Sequence, residues 1–155
     1  MPASIEEDKV WMQEALLLAK QAQEEGEVPV GALLVQDNKL LGQGWNRPVA
    51  SHDPSAHAEI QAIRHAGGIV SNYRLPGSTL YVTLEPCTMC AGAMIHTRIK
   101  RLVFGAYDPR TGAVESVAQI LDQPHHNHKI VYQGGVMESE CGQLLKAFFA
   151  AKRLK

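Results

Sequence analysis

The sequence predicts an α/β fold, a mixed sheet with helices on both of its faces. Helical and strand-like segments alternate along the chain in the order α-β-β-α-β-α-β-(α)-β-α. The first two apolar runs, 28–35 and 39–45, meet at Asp37-Asn38, which has the chemistry of a hairpin turn. The chain has 155 residues, 45% of them apolar and 20% charged. That is the size and composition of one ordinary globular domain spanning 1–155, long enough for a true core.

The elements follow in order. Ser4-Ile5-Glu6-Glu7 has the form of a capping box. It opens a helix with Trp11, Ala15, Leu18, Ala19 and Ala22 at spacings of three and four, ended by Gly26. After the hairpin, 46–53 is a loop containing Pro48, and 54–66 reads as a helix closed by Gly67-Gly68. Residues 79–84 alternate as a strand, and Pro86 suits the first position of a helix running to about Arg98. Another strand is expected at 101–104, a short helix at 113–121 and a last strand at 129–132. The final helix, from Glu138 to about Arg153, carries Leu144, Leu145, Phe148 and Phe149.

Charge and composition narrow the function. The formal net charge of −1 provides no strong field, so nucleic-acid contact needs a local basic patch. No apolar stretch approaches a membrane span, and the acidic stretch from Met1 to Asp8 lacks an apolar signal core. A cytoplasmic protein with no membrane partner is the expectation. Of three cysteines, Cys87 and Cys90 form a C-x-x-C and Cys141 stands alone. In a reducing compartment this favours metal or redox use over a disulfide scaffold.

Three residues apart at a helix start, Cys87 and Cys90 share one face and can grip one zinc. The helix N-terminus favours their thiolate forms. His57 lies near the start of the preceding predicted helix and is a good third ligand, provided both helix starts point to one end of the sheet. Glu59 is two residues on, so the metal must sit off the helix end rather than beside its flank. Three protein ligands leave one coordination position for water, as catalytic zinc requires. Glu59 is then placed to take a proton from that water and return it to the substrate. The combined H-x-E…P-C-x-x-C pattern is a signature of zinc deaminases.

Beyond this motif, the chain resembles the bacterial tRNA-specific adenosine deaminase family. The resemblance is carried by 28–32 (VPVGA), 44–48 (GWNRP), 52–60 (HDPSAHAEI), 81–96 (YVTLEPCTMCAGAMIH) and 103–108 (VFGAYD). It implies a three-layer α/β/α sandwich with a five-stranded mixed sheet, of the cytidine deaminase-like type. It implies one zinc per subunit and a homodimer in which one subunit borders the other's site. It also implies hydrolytic conversion of adenosine to inosine at the wobble position of a tRNA anticodon stem-loop, usually arginine tRNA with anticodon ACG. By match of motif, Asn46 would bond the target base or its sugar, and Ala58 would offer its N–H to the base. Glu85 would help shape the entrance to the zinc helix, and Asp108 would contact nearby sugars and help exclude DNA. Asn127, Phe148, Phe149 and Arg153 would contact the anticodon loop.

Two other readings compete. A deaminase of a free base or nucleoside shares the zinc chemistry and differs only in the flanking sequence. A structural zinc module would need a fourth protein ligand, and Cys141, in the middle of the last helix, is poorly placed for that and reads as a core residue. Lys146, Lys152, Arg153 and Lys155 form either a solvated face or an RNA contact. His125, His126 and His128 read as a polar loop rather than a second metal site, since no cysteine or carboxylate joins them at close spacing.

Overall fold

The computed structural model describes residues 4–154. Its elements are α1 (Ile5–Glu24), β1 (Gly31–Gln36), β2 (Lys39–Trp45), α2 (Pro48–Ser51), α3 (Ala58–Val70), β3 (Thr79–Leu84), α4 (Thr88–Thr97), β4 (Arg101–Ala106), β5 (Val131–Gln133) and α5 (Glu138–Arg153), with a single 3₁₀ turn at Ile120–Asp122. The N-cap half of the capping box forms: the Glu7 N–H donates to Ser4 Oγ at 3.1 Å, while the Glu7 carboxylate accepts from the Ser4 hydroxyl at 3.4 Å. Asp37 and Asn38 both take positive φ, as the two-residue hairpin between β1 and β2 requires.

The five strands lie in the order β2-β1-β3-β4-β5. β1 is antiparallel to β2 and β3, whereas β3, β4 and β5 run parallel. The sheet is therefore mixed, as expected. Strand alternation divides the core in two. Ala32, Leu34, Leu80, Val82, Leu102 and Phe104 face α3 and α4. Leu33, Val35, Tyr81 and Val103 face α1 and α5. The result is the three-layer α/β/α sandwich. Helix α3 rests directly on β2, where a Cβ at Gly44 would come within 2.6 Å of the Ala62 nitrogen. That close approach fixes the height of the helix that carries His57 and Glu59.

Several expected boundaries shift, each for a physical reason. Helix α3 starts at Ala58, not 54, because the Asp53 carboxylate accepts from the Ser55 N–H and hydroxyl and holds the chain in a turn. It continues through Gly67-Gly68 and ends where Ser71 adopts φ 56°. A glycine inside a helix costs only about 1 kcal/mol and need not end it. Pro86 lies outside α4, whose N-cap is Cys87. The loop at 46–53 contains the short α2, with proline in its first turn. The helix expected at 113–121 does not form. The N–H groups of Val114, Glu115 and Ser116 donate to the Glu85 carboxylate instead of to helical carbonyls.

One buried ion pair ties α1 to the sheet. Asp8 is 2% exposed, takes both arms of the Arg101 guanidinium at 2.8 and 2.7 Å, and accepts from the Tyr81 hydroxyl at 2.8 Å. Burial and the facing carboxylate push the Tyr81 phenol well above its ordinary pKa. Asp8→Ala would strand a guanidinium and a phenol without an acceptor. The expected loss is about 3–5 kcal/mol, read from the urea midpoint at unchanged slope. A loss below about 1 kcal/mol, the range of an exposed pair, would contradict this assignment.

Candidate active site

His57 is the N-cap of α3, Cys87 is the N-cap of α4, and Cys90 lies in the first turn of α4. Both helices thus begin at one end of the sheet. His57 Nδ1 lies 3.6 Å from the sulfur of Cys87 and 3.6 Å from that of Cys90. The three donor atoms lie within 4.8 Å of one another, the one such group among the described residues. Zinc with bonds of about 2.05 Å to nitrogen and 2.3 Å to sulfur, at the tetrahedral angle, needs an N···S distance of about 3.6 Å. The donor set therefore fits zinc in both chemistry and spacing.

Electrostatics point the same way. The Cys87 thiol is drawn down to about 4, chiefly by a hydrogen bond from Cys90, against burial and with help from His57. That same pairing, together with burial, pushes Cys90 far up. Cys90 is buried and Cys87 half-buried, and a cation between them would favour both thiolates. Glu59 is 4% exposed, in the first turn of α3. Burial is the largest influence on its carboxyl, which is pushed up to about 7, and Cys87 adds to the rise while His57 opposes it.

The wall beside the zinc donors comes from the loop after β2. Asn46 Oδ1 accepts the Ala58 N–H at 2.7 Å. Here the expectation for Ala58 needs correction: its N–H is spent on Asn46 and its side chain is wholly buried. Because Oδ1 is occupied, the Asn46 amide is oriented with its NH₂ as the remaining donor. Two carboxylates that no sequence motif singles out hold this loop. Glu27, 2% exposed, accepts from the Val49 and Ala50 N–H groups at 3.2 and 2.7 Å. Glu25 accepts from Trp45 Nε1 and Arg47 Nε, each at 3.1 Å. No local pattern signals either role, since the partners are about twenty residues away and half of them are main-chain groups.

The other expected contacts separate. Asp108 uses its carboxylate on its own turn, accepting from the Arg110 and Thr111 N–H groups and the Thr111 hydroxyl. Asn127 is exposed on the loop before β5. On α5, Phe148 is a second correction. It is 8% exposed and lies on the packed side of the helix with Cys141, so it is not available to RNA. Helical periodicity explains this, as Cys141 and Phe148 are seven residues apart. Phe149 is 45% exposed and packs edge-on against Phe148, and Arg153 is exposed. Lys152 lies over the Phe148 ring, and Lys155 falls outside the described residues. Cys141 is buried, as expected. The His125 and His126 rings pack together, and His128 Nε2 meets the Ile99 carbonyl at 2.6 Å.

Comparison with known proteins agrees with this geometry. The family described as the cytidine and deoxycytidylate deaminase zinc-binding region matches residues 5–106. Fold and donor set together define a zinc-dependent hydrolytic deaminase. A tRNA-specific adenosine deaminase of Haemophilus influenzae is 52% identical over 94% of this chain and 85% of its own. One from Bacillus subtilis is 42% identical over 96% of this chain and 92% of its own. A structure solved in work on A-to-I editing by tRNA:A34 deaminases at the wobble position superposes with a TM-score of 0.84. It is 47% identical, and the match covers 86% of this chain and 97% of that one. The chain belongs to the tRNA-specific adenosine deaminase family.

Proposed function

We propose that this protein converts adenosine to inosine at the wobble position of a tRNA anticodon, with the ACG arginine tRNA as the expected substrate. The observation that carries this is the extent of the similarity. It spans 94% of the chain, including β2 and α5, which the zinc chemistry alone does not require. In this reading His57, Cys87 and Cys90 hold the metal. Zinc bound there supplies Lewis-acid activation of a water. Glu59, buried beside it, accepts one water proton and returns it to N1 as the hydroxyl adds to C6, then carries the remaining hydroxyl proton to the amino group, so that the C6 carbonyl forms as the C–N bond breaks and ammonia leaves. The Asn46 NH₂ offers a hydrogen bond to the base or its sugar. Anticodon-loop bases are unpaired, so drawing one into the site costs less than from a duplex. Phe149 and Arg153 offer an exposed ring and cation to the loop, and such phosphate contacts weaken as salt rises. The homodimer of this reading is checked by light scattering of the purified protein.

The test is direct. The purified protein is incubated with the tRNA transcript and, separately, with free adenosine, cytidine and guanine. Inosine in the anticodon loop without turnover of the small molecules is expected, and the reverse pattern overturns the reading. A stem-loop with deoxyribose at the target nucleotide extends the assay. Native protein should edit it poorly, and Asp108→Asn should narrow the gap. Equal selectivity in the two proteins would remove Asp108 from sugar recognition.

A further inference from the structure

β3 and β4 run parallel with Leu84 beside Ala106, so both strands end at the zinc-donor end of the sheet. Glu85 follows the first and Asp108 lies just past the second. The Glu85 side chain, 2% exposed, is where the two segments meet. Its Oε1 accepts from the Asp108 N–H at 3.0 Å and from the Ser116 hydroxyl. Its Oε2 accepts from the N–H groups of Val114, Glu115 and Ser116 at 3.2, 2.8 and 2.9 Å. The loop makes room for this: a Cβ on Gly112 would lie against the Glu85 carboxylate and 2.6 Å from the Asp108 carbonyl oxygen. A second tie follows at once, from the Ala113 N–H to the Pro86 carbonyl at 2.8 Å. One buried carboxylate thus replaces regular secondary structure in 108–116, leaving Pro109, Arg110 and Thr111 exposed at the tip beside the Cys87 end of α4.

From this arrangement we infer that Glu85 is a positioning residue for substrate recognition, templating the 108–116 loop as the wall against which RNA flanking the target base lies. The inference rests on the proposed tRNA function. Its chemical signature is specific. A carboxylate presents acceptors on both oxygens, and every group facing Glu85 is a donor. In Glu85→Gln one oxygen becomes an NH₂ donor. If the remaining oxygen keeps the three N–H groups of 114–116, the amide NH₂ confronts the Asp108 N–H. The loop should come loose at its Asp108 end while the metal donors stay in place.

The experiment uses the zinc-loaded protein and an anticodon stem-loop RNA with adenosine at the wobble position. In Glu85→Gln, KM should rise about tenfold, the effect of losing one charge-assisted hydrogen bond, with kcat within about twofold of native. Zinc should remain at one per subunit, and amide exchange should quicken at 108–116 but not in α4. Gly112→Ala presses on the same clamp from the loop side and should reproduce the pattern without touching the segment before Cys87. Native editing with unchanged KM in both variants overturns the inference. So does loss of zinc with a fall in kcat at constant KM, which would make Glu85 a support of the metal helix. A native protein that leaves the stem-loop unedited overturns the functional reading itself and, with it, the assignment of this loop to RNA.

Discussion

Replacing Glu59 with alanine should leave one zinc per subunit and lower the deamination rate by about 10²–10⁴-fold, the worth of one positioned acid–base group. Glu59 is buried at the start of α3, two residues past His57, and is not one of the three clustered donors. Its removal therefore spares the metal and deletes the proton carrier. Water can still be activated, but its proton then has no buried acceptor, and N1 has no donor. Glu59→Gln should fail almost as completely, since it keeps the volume and loses the titrating oxygen. Metal analysis and single-turnover kinetics on one sample separate the two effects. Turnover within tenfold of native would remove Glu59 from proton transfer, and loss of zinc would move it into the metal shell.

Cys90→Ala should do the opposite, losing the metal first and activity as a consequence. Cys90 is wholly buried in α4, and its sulfur faces His57 at the head of α3. The metal joins two helices that otherwise share few contacts, so binding energy becomes folding energy. A ligand held at a thousand times its Kd contributes about 4 kcal/mol, and losing that much lowers Tm by roughly 10 °C in a domain of this size. Treating the native protein with a strong chelator should lower Tm by a similar amount. Full zinc occupancy in Cys90→Ala, or a native Tm indifferent to chelation, would sink the three-donor assignment.

Both predictions concern residues that the sequence makes legible, because the chemistry of His57, Glu59, Cys87 and Cys90 is local. The spacing within H-A-E and C-T-M-C sets which side chains lie at a helix start, and a helix start needs no tertiary contact to be recognised. Phe148 is harder to place from sequence, because an aromatic pair on an amphipathic helix does not say which ring points inward. Burial in the folded chain makes that choice, taking Phe148 inward and leaving Phe149 outside. The role of the Ala58 N–H is equally hidden, because its partner, the Asn46 side chain, belongs to another loop.

Local sequence is sufficient for the alternation of elements, the hairpin at Asp37-Asn38, the N-cap at Ser4 and the metal-donor spacing. Each depends on interactions within a few residues, where backbone geometry dictates the outcome. Three further features arise only when distant segments pack. His57 at the head of α3 comes within 3.6 Å of the Cys87 sulfur at the head of α4, Asp8 meets Arg101 and Tyr81, and Glu85 abolishes an expected helix by taking its N–H groups. These pairings join residues about 30 to 93 positions apart. Buried charges and unpaired amides must find partners wherever the fold brings them, and no local pattern records the address.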